Sequence, residues 1–373
     1  MSIRERVISV FAGIKPDVVP FILDLSHWYY HHYNLSWDLT MPYNKPDYGL
    51  LEIHKKFRAG FYIPILTVGW KIEYKSDINC SVFKQYVDGV PTIVWKYETP
   101  MGTIQRRRRW EQKSYSWPIY EWGVKNKNDL KILQYCLEGR IFHPDFESYN
   151  MWNEAVGENG VVYMPFGYSA MGQLLNAWMG VENTIYATFD MEKEVMEFIT
   201  SINENNLKLV DLLCESPAEI ILMGDNFSSD IQSPEFFNKW SKQFYVEAIR
   251  RFHNAGKKVA VHIDGRLKNA ISMIAKTGAD CGDAITPAPM GDLSPSECRK
   301  EAGENFILSG GVAPDLWLPT VQVKNFEQAV IDWLLTAKEN FRIFAAAGDQ
   351  VPPGAEERRI SLMRELVEIY GKY

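Results

Sequence analysis

Short apolar runs alternate with longer amphipathic stretches from about residue 160 to the carboxyl terminus. The apolar runs are rich in β-branched side chains and the longer stretches have helical periodicity, so the alternation predicts parallel strands joined by helical crossovers. The predicted strands are Val161–Met164, Glu219–Met223, Lys257–Ile263, Asp280–Ile285, Asn305–Ser309 and Arg342–Ala346. The predicted helices are Met191–Leu213, Pro234–Asn254, Leu267–Lys276, Asn325–Glu339 and Ala355–Tyr370.

The first half of the chain is less regular. Its strand-like runs are Val18–Leu23, Phe61–Leu66 and Thr92–Tyr97, and Thr99–Trp117 has the pattern of a hairpin. With the later strands these suffice for a closed eight-stranded barrel, so we predict an α/β fold, a (β/α)8 TIM barrel. Because no linker divides the chain, residues 1–373 are predicted to form a single domain with an N-terminal extension and a hairpin insertion.

The alternative architecture is an open doubly wound sheet. Against it, no G-x-G-x-x-G or P-loop motif follows any predicted strand. The hydrophobic fraction of 46% and the charged fraction of 23% are typical of a globular protein with a sizeable core. Disorder is therefore not expected.

A net charge of −7 argues against a nucleic-acid partner, since duplex binding needs a basic surface. The run from Arg106 to Arg109 is a local exception. It lies in the predicted hairpin, so alternate arginines should face opposite sides. We favour a solvated hairpin over a binding patch.

The five cysteines lack paired spacing and are odd in number, so no disulfide framework is expected. The amino terminus carries charges and has no long apolar core, which argues against a signal peptide or membrane anchor. No apolar run is long enough to span a bilayer. We expect a cytoplasmic protein with no membrane association.

Polar residues at the carboxyl ends of barrel strands share one mouth, which is where catalytic residues are expected. His262 and Asp264 are one residue apart at a predicted strand end, so both can face the same ion or substrate atom. A structural histidine bonded to a neighbouring carboxylate explains the pattern equally well. Asp225 and Asp349 adjoin glycines in strand-end loops, where each can be a ligand, an acid or base, or a helix cap.

The aromatic tract that begins at Trp28 and Tyr29 follows the first predicted strand and could line an apolar pocket, although a packed loop is the commoner outcome. His27 and His31 have helical spacing. They lack the glutamate of H-E-x-x-H, so a zinc-protease site is not indicated.

Several motifs in the second half occur in an order that resembles the uroporphyrinogen decarboxylase superfamily. They are Gly224–Asn226, Ile231–Phe236, Gly256–His262, Asp280 in a TGAD turn, Gly310–Pro314 and Gly348–Pro353. The resemblance covers roughly residues 155–373 and only loosely the first half. It implies a barrel enzyme with its site at the strand carboxyl ends.

The resemblance also favours one branch of the superfamily. The haem-pathway decarboxylase has an arginine-rich segment that binds its substrate's carboxylates, whereas the matching place here, Asp24–Tyr30, contains no arginine. The chain is more similar to the corrinoid-dependent methyltransferases, in which a His-x-Cys pair and a later Cys bind zinc. The matching positions are His262, Asp264 and Asp349, so carboxylates replace both thiolates and make a harder, oxygen-preferring site.

This resemblance leads to an expected function. The protein would remove a methyl group from a methoxylated, aromatic or related donor and pass it to the Co(I) of a separate corrinoid protein. Either zinc at the three matching positions or a protonated His262 would stabilise the leaving oxygen. The predicted substrate-binding residues are Asp24, His27, Trp28, Tyr29 and Asn226, and the predicted catalytic residues are His262 and Asp225.

Two other functions stay open. One is a cofactor-independent decarboxylase of a small carboxylic acid, because the founding members of the superfamily decarboxylate without metal. The other is a non-catalytic binding protein, since the cysteine positions have changed to aspartate.

Overall fold

The computed structural model describes residues 1–40, 44–63 and 68–373. In these ranges the helices are α1 (Ile3–Phe11), α2 (Ser26–His32), α3 (Tyr48–Phe57), α4 (Lys127–Glu138), α5 (Phe146–Val156), α6 (Ala170–Gly172), α7 (Val181–Asp190), α8 (Glu192–Cys214), α9 (Pro234–Trp240), α10 (Lys242–Asn254), α11 (Ala270–Ala275), α12 (Pro295–Ala302), α13 (Val323–Thr336) and α14 (Glu357–Tyr370). The strands are β1 (Gly69–Tyr74), β2 (Asn79–Val87), β3 (Val90–Thr99), β4 (Gly102–Arg109), β5 (Ile119–Glu121), β6 (Arg140–Asp145), β7 (Met164–Gly167), β8 (Ile220–Phe227), β9 (Lys258–Ile263), β10 (Cys281–Ile285), β11 (Ile307–Val312) and β12 (Ile343–Ala347).

A six-stranded parallel sheet in the order β12-β11-β10-β9-β8-β7 organises the second half of the chain. Strands consecutive in sequence are neighbours in the sheet, and helices lie between them, which confirms the predicted α/β alternation. The observed strands lie close to the predicted ranges, with two exceptions. Strand β7 begins at Met164, where the predicted strand Val161–Met164 ends, and β8 continues to Phe227, beyond the predicted end at Met223.

The predicted strand Val18–Leu23 is shorter than expected. Phe21 forms an isolated parallel bridge with Ala345 of β12, and Ala345 donates a hydrogen bond to Pro20 O at 2.9 Å. Pro20 has no N–H of its own, which limits a longer ladder on this segment.

The second predicted strand, Phe61–Leu66, is also present only as bridges. Ile22 bridges Gly60 and Phe61 bridges Gly160, both in parallel, and residues 64–66 lie outside the described residues. Two short segments thus contact each other and the two ends of the six-stranded sheet.

Alternate strand residues form an apolar cluster on one face of the sheet, which we call the inner cluster. Its strand members include Leu222, Ala260, Cys281, Ile307 and Phe344. Val7, Val10 and Phe11 of α1 complete it at the amino ends of the strands. The carboxyl ends are not covered by this helix, and polar side chains collect there.

The predicted helix Pro234–Asn254 is two helices, α9 and α10, with Ser241 between them. The Ser241 hydroxyl donates to Gln232 Oε1 at 2.7 Å, a local bond that competes with continuous helix. The other predicted helices correspond to α8, α11, α13 and α14, with small shifts at their ends.

An antiparallel sheet in the order β2-β3-β4-β5 contains the predicted strand Thr92–Tyr97 and most of the predicted hairpin Thr99–Trp117. We call it the hairpin sheet. Strand β2 and the β1–β6 pair were not predicted, because their exposed, polar-rich sequences lack a continuous apolar face.

All five cysteines are free, as expected. Among the described residues, no helix combines the length and apolar character needed to cross a membrane. The assignment of residues 1–373 to a single domain stays a prediction.

Candidate active site

His262 and Asp283 are side by side on neighbouring parallel strands, near the carboxyl ends of β9 and β10. His262 Nδ1 lies 3.0 Å from Asp283 Oδ2, and Asp283 is buried. Ala260 and Cys281, two residues earlier on the same strands, belong to the inner cluster. Strand alternation therefore directs the His262–Asp283 pair to the face above that cluster.

The environment of His262 favours its protonated form. Burial by itself lowers the pKa, but the hydrogen bond with Asp283 and the charges of Asp349 and Asp264 outweigh burial and raise the pKa of His262 to about 9. The imidazole is then protonated at neutral pH, with a donor at each ring nitrogen. One nitrogen is engaged by Asp283, whereas Nε2 lies 3.8 Å from Asp349 Oδ1.

Asp349 is positioned by the tight turn that follows β12. A Cβ on Gly348 would lie 2.2 Å from Thr286 Oγ1, and this hydroxyl donates to Gly348 O at 2.8 Å. Only glycine fits so close an approach. Burial and the charges of Asp264 and Asp283 raise the pKa of Asp349 above its ordinary value, although the charge of His262 lowers it.

Asp24 adds a second buried carboxylate from the first segment of the fold. Its Oδ1 accepts hydrogen bonds from the Ser26 N–H at 2.9 Å and from the Ser26 hydroxyl at 2.6 Å. Burial raises the pKa of Asp24 to about 6 despite these bonds, and the charge of Asp349 contributes to the rise. The Val351 N–H donates to Asp24 O at 2.9 Å, so the segment of Asp24 adjoins the loop that holds Asp349. The role of Asp24 in substrate binding stays a prediction.

Tyr62 is a buried tyrosine whose charged surroundings the sequence did not reveal. Burial, together with the charges of Asp283, Asp24 and Asp349, raises its pKa well above the ordinary value. Its phenol is therefore neutral, and its ring packs against Tyr163 in the inner cluster. A tyrosine inside an apolar run is usually a core residue, so the sequence offers no separate signal for it.

Asp283 was also missed, although a signal was available. It is the charged residue in β10, Cys281–Ile285, whose other side chains are small or apolar. A carboxylate in a strand buried on both faces needs a partner, and His262 supplies it.

The predicted zinc ligands converge only in part. His262 Nε2 and Asp349 are close, but Asp264 is exposed, lies beyond the end of β9, and contributes charge without a direct bond to either. In the described ranges, no three His, Cys, Asp or Glu side chains are grouped as metal ligands. These positions do not fit a three-ligand zinc centre, and zinc binding stays a prediction through which we derive no step.

Asp225 does not have the predicted catalytic placement. It is buried, its Oδ1 accepts a bond from the Ser169 N–H at 2.7 Å, and its Oδ2 accepts one from the Tyr245 hydroxyl at 2.7 Å. Tyr245 belongs to α10, which packs outside the sheet. Asp225 therefore ties β8 to its neighbours, whereas Asn226, beside it, is exposed with a φ of 47° and stays a candidate for substrate contact.

Three of the predicted substrate-binding residues make contacts that stabilise the fold. Trp28 is 1% exposed, donates from Nε1 to Ala355 O at 3.0 Å and stacks on His32. The Tyr29 hydroxyl lies against Gly49 at the start of α3. His27 Nε2 is 3.0 Å from Tyr115 O, which joins α2 to the loop of the hairpin sheet. The tract is helical, so its side chains spread around α2 and do not line one pocket.

Comparison with known proteins identifies the family. The uroporphyrinogen decarboxylase (URO-D) family profile matches residues 159–370, more than half of the chain. The chain belongs to the uroporphyrinogen decarboxylase family, whose fold is a TIM barrel. No curated protein sequence matches the chain significantly.

Among solved structures, a methyltransferase from Methanosarcina mazei is similar over 99% of both chains, with a TM-score of 0.65 and 12% identity. At this identity the likeness concerns the fold. The muconate lactonizing enzyme from Pseudomonas putida gives a TM-score of only 0.29 at 10% identity, over 79% of this chain and 77% of that one. It carries no argument about function.

Proposed function

We propose that the protein is a methyltransferase that removes a methyl group from a methoxylated aromatic compound and transfers it to a reduced corrinoid carried by a separate protein. The observation that carries this proposal is the His262–Asp283 pair, an imidazolium held at the carboxyl ends of the strands. Family membership and the fold of the methyltransferase from Methanosarcina mazei support it. We take the ring of parallel bridges as a closed barrel, which gives these residues one common mouth.

The chemical difficulty in demethylating an ether is the leaving oxygen. The corrinoid supplies the nucleophile that accepts the methyl group, the C–O bond breaks, and its electron pair stays on oxygen. The Nε2–H of His262 can donate a proton to that oxygen, while Asp283 keeps the ring oriented and charged. Asp349 lies on the Nε2 side and can hold the imidazolium until substrate displaces it.

The test is an anaerobic assay of methyl transfer. Purified protein is mixed with a cognate Co(I) corrinoid protein and a panel of methoxylated aromatic compounds and methylamines, and loss of the Co(I) absorption is followed. We expect loss with one donor class only, and a decrease of about 10²-fold or more in H262A. H143Q is the matched control, because His143 is exposed and paired with Glu73 away from the site.

Full activity of H262A would remove the proposed role of His262. Absence of transfer with every donor and a competent corrinoid protein would remove the methyltransferase proposal itself.

A second candidate is decarboxylation without a corrinoid, which the family match favours. In that reaction the His262 imidazolium would protonate the carbanion left by CO₂. Release of CO₂ from a small carboxylic acid in the absence of any corrinoid would establish it in place of methyl transfer.

A further inference from the structure

The arginines on the two faces of β4 differ in their ion pairs. On the outer face, Arg107 pairs with Glu121 at 3.2 Å and Arg109 pairs with Asp88 at 3.7 Å. Arg106 and Arg108 have the opposite parity and lie on the inner face. In the part of the chain that the structure describes, neither forms an ion pair with a carboxylate within 4.0 Å. All four arginines are only partly exposed, and Nε of Arg107 and of Arg109 is buried without a partner there, so the hairpin is less solvated than expected on both faces.

The guanidinium of Arg106 lies between two indole rings. Its guanidinium carbon lies 4.8 Å from the ring centre of Trp95 and 4.8 Å from that of Trp178. Nη1 donates to Ala177 O at 2.8 Å, whereas Nε is buried without a hydrogen-bond partner among the described residues. Burial lowers the pKa of Arg106 to about 10, which leaves the group charged at neutral pH.

Arg108 extends this cationic face by one strand repeat. It donates from Nη1 to Trp117 O at 3.0 Å, and its guanidinium carbon lies 5.9 Å from the ring centre of Trp95. Burial lowers its pKa as well. Two partly buried cations with one carbonyl partner each keep most of their N–H groups available to an acceptor.

The inner face contacts the segment that follows the carboxyl end of β7, because Arg106 donates to Ala177 O and its guanidinium lies over Trp178. Tyr168 follows β7 directly and packs against the same apolar cluster as Trp95, and burial raises the pKa of its phenol. At the other side, Tyr115 O accepts bonds from Trp37 and contacts His27 of α2. The hairpin sheet is therefore anchored both to the segment after β7 and to the segment around α2, across the mouth.

We propose that Arg106 and Arg108 bind the carboxylate of an aromatic acid that enters between the hairpin sheet and the strand ends. A guanidinium fork matches a carboxylate in two parallel hydrogen bonds, and Trp95 and Tyr168 offer aromatic surface to a flat ring. Burying unpaired cations is costly, and an anionic ligand would remove that cost. Identification of this acid as the methyl donor rests on the proposed function, whereas its binding does not.

The experiment compares two probes of equal shape, 4-methoxybenzoate and the neutral 4-methoxybenzamide, by calorimetric titration and by indole fluorescence. We expect the wild-type protein to bind the anion about tenfold or more tightly than the amide. R108Q should lose this preference, and R106K should weaken it because a lysine keeps the charge but not the fork. R107Q, on the outer face of the same strand, is the matched control and should bind as wild type does.

Thermal unfolding of each variant checks that it is folded. Equal affinity of the wild-type protein for the two probes, no binding of the benzoate at millimolar concentration, or equal losses in R107Q and R108Q would overturn the proposal. Arg108-dependent binding without demethylation of any donor would leave this site standing and remove the methyltransferase. Demethylation at the same rate with and without a carboxylate on the ring would support the methyltransferase and remove the proposed arginine site.

Discussion

The region that the family profile matches and the region before it contribute different elements and side chains to the candidate active site. Residues 159–370 supply repeated strand and helix units, with His262, Asp283 and Asp349 at the strand ends. The earlier residues supply the helix that closes the amino ends of the strands, the hairpin sheet, and two further polar side chains, Asp24 and Tyr62. Under the two proposals above, proton transfer belongs to the repeated units and ligand binding belongs to the hairpin sheet.

The largest effect is expected for D283N, which tests whether the strand-end residues transfer the proton. Loss of the buried carboxylate should lower the pKa of His262 and release its ring, so we expect methyl transfer to fall by about 10³-fold. The measurement is the rate of Co(I) loss as a function of pH. The wild-type rate should decline as pH rises through about 9, and in D283N the decline should begin at lower pH.

S309A provides the control, because the Ser309 hydroxyl lies 3.4 Å from Asp283 Oδ1 and contributes only a long hydrogen bond. An unchanged rate and pH profile in D283N would show that the pair is structural and would place proton transfer elsewhere.

The second prediction concerns stability and pH. His262 has a pKa of about 9 in the folded protein against 6.5 for an ordinary histidine, so its protonation stabilises the fold. This contribution is fully present below pH 6.5 and is lost as pH rises through about 9. The shift corresponds to about 3 kcal/mol at most.

Urea unfolding at pH 6.5 and pH 9.5 measures this effect. H262Q should lack the histidine-specific part of the decrease, while ionisation of other groups still affects both proteins. Equal decreases in the two proteins would mean that His262 does not carry the raised pKa.

The third prediction tests Asp225 as an anchor. D225N should lower the free energy of unfolding by about 2 kcal/mol, because a buried carboxylate with two hydrogen bonds is replaced. Y245F removes one of the same bonds, so urea unfolding of both single variants and the double variant should show strong non-additivity. Additive losses would indicate that the Asp225–Tyr245 contact does not stabilise the fold.

Much of the parallel sheet could be predicted because buried parallel strands are continuous apolar runs, separated by helices with recognisable ends. The same reasoning failed at Asp225 for a specific reason. Strand β8 continues to Phe227, beyond the predicted end at Met223, and its pairing with β9 is irregular between these two residues. In this stretch Asp225 is bound by Ser169 and by Tyr245 of α10. A strand-end residue faces the mouth only if the strand ends where expected.

The region before residue 159 was harder to predict because long-range contacts define its structure. The residues from His27 to Tyr29 were predicted to bind substrate, but they lie on a helix whose sides pack against different partners. The alternation of the arginines in β4 followed from strand geometry. Of the two indole rings around Arg106, Trp95 lies opposite it on β3, whereas Trp178 comes from the segment after β7, which is distant in sequence.

The smallest expected effect sharpens the distinction between the two faces of the hairpin sheet. R109Q removes an ion pair with Asp88, which is largely exposed, so the free energy of unfolding should change by about 0.5 kcal/mol or less. R106Q removes a buried donor to Ala177 O and the contact with two indoles, and it should cost about 2 kcal/mol. Urea unfolding at low and high salt measures both, and salt should reduce only the R109Q effect. Equal losses of unfolding free energy would show that Arg109 supports the sheet as strongly as Arg106 does. The difference between the two faces of β4 would then not explain why the inner arginines are available to a ligand.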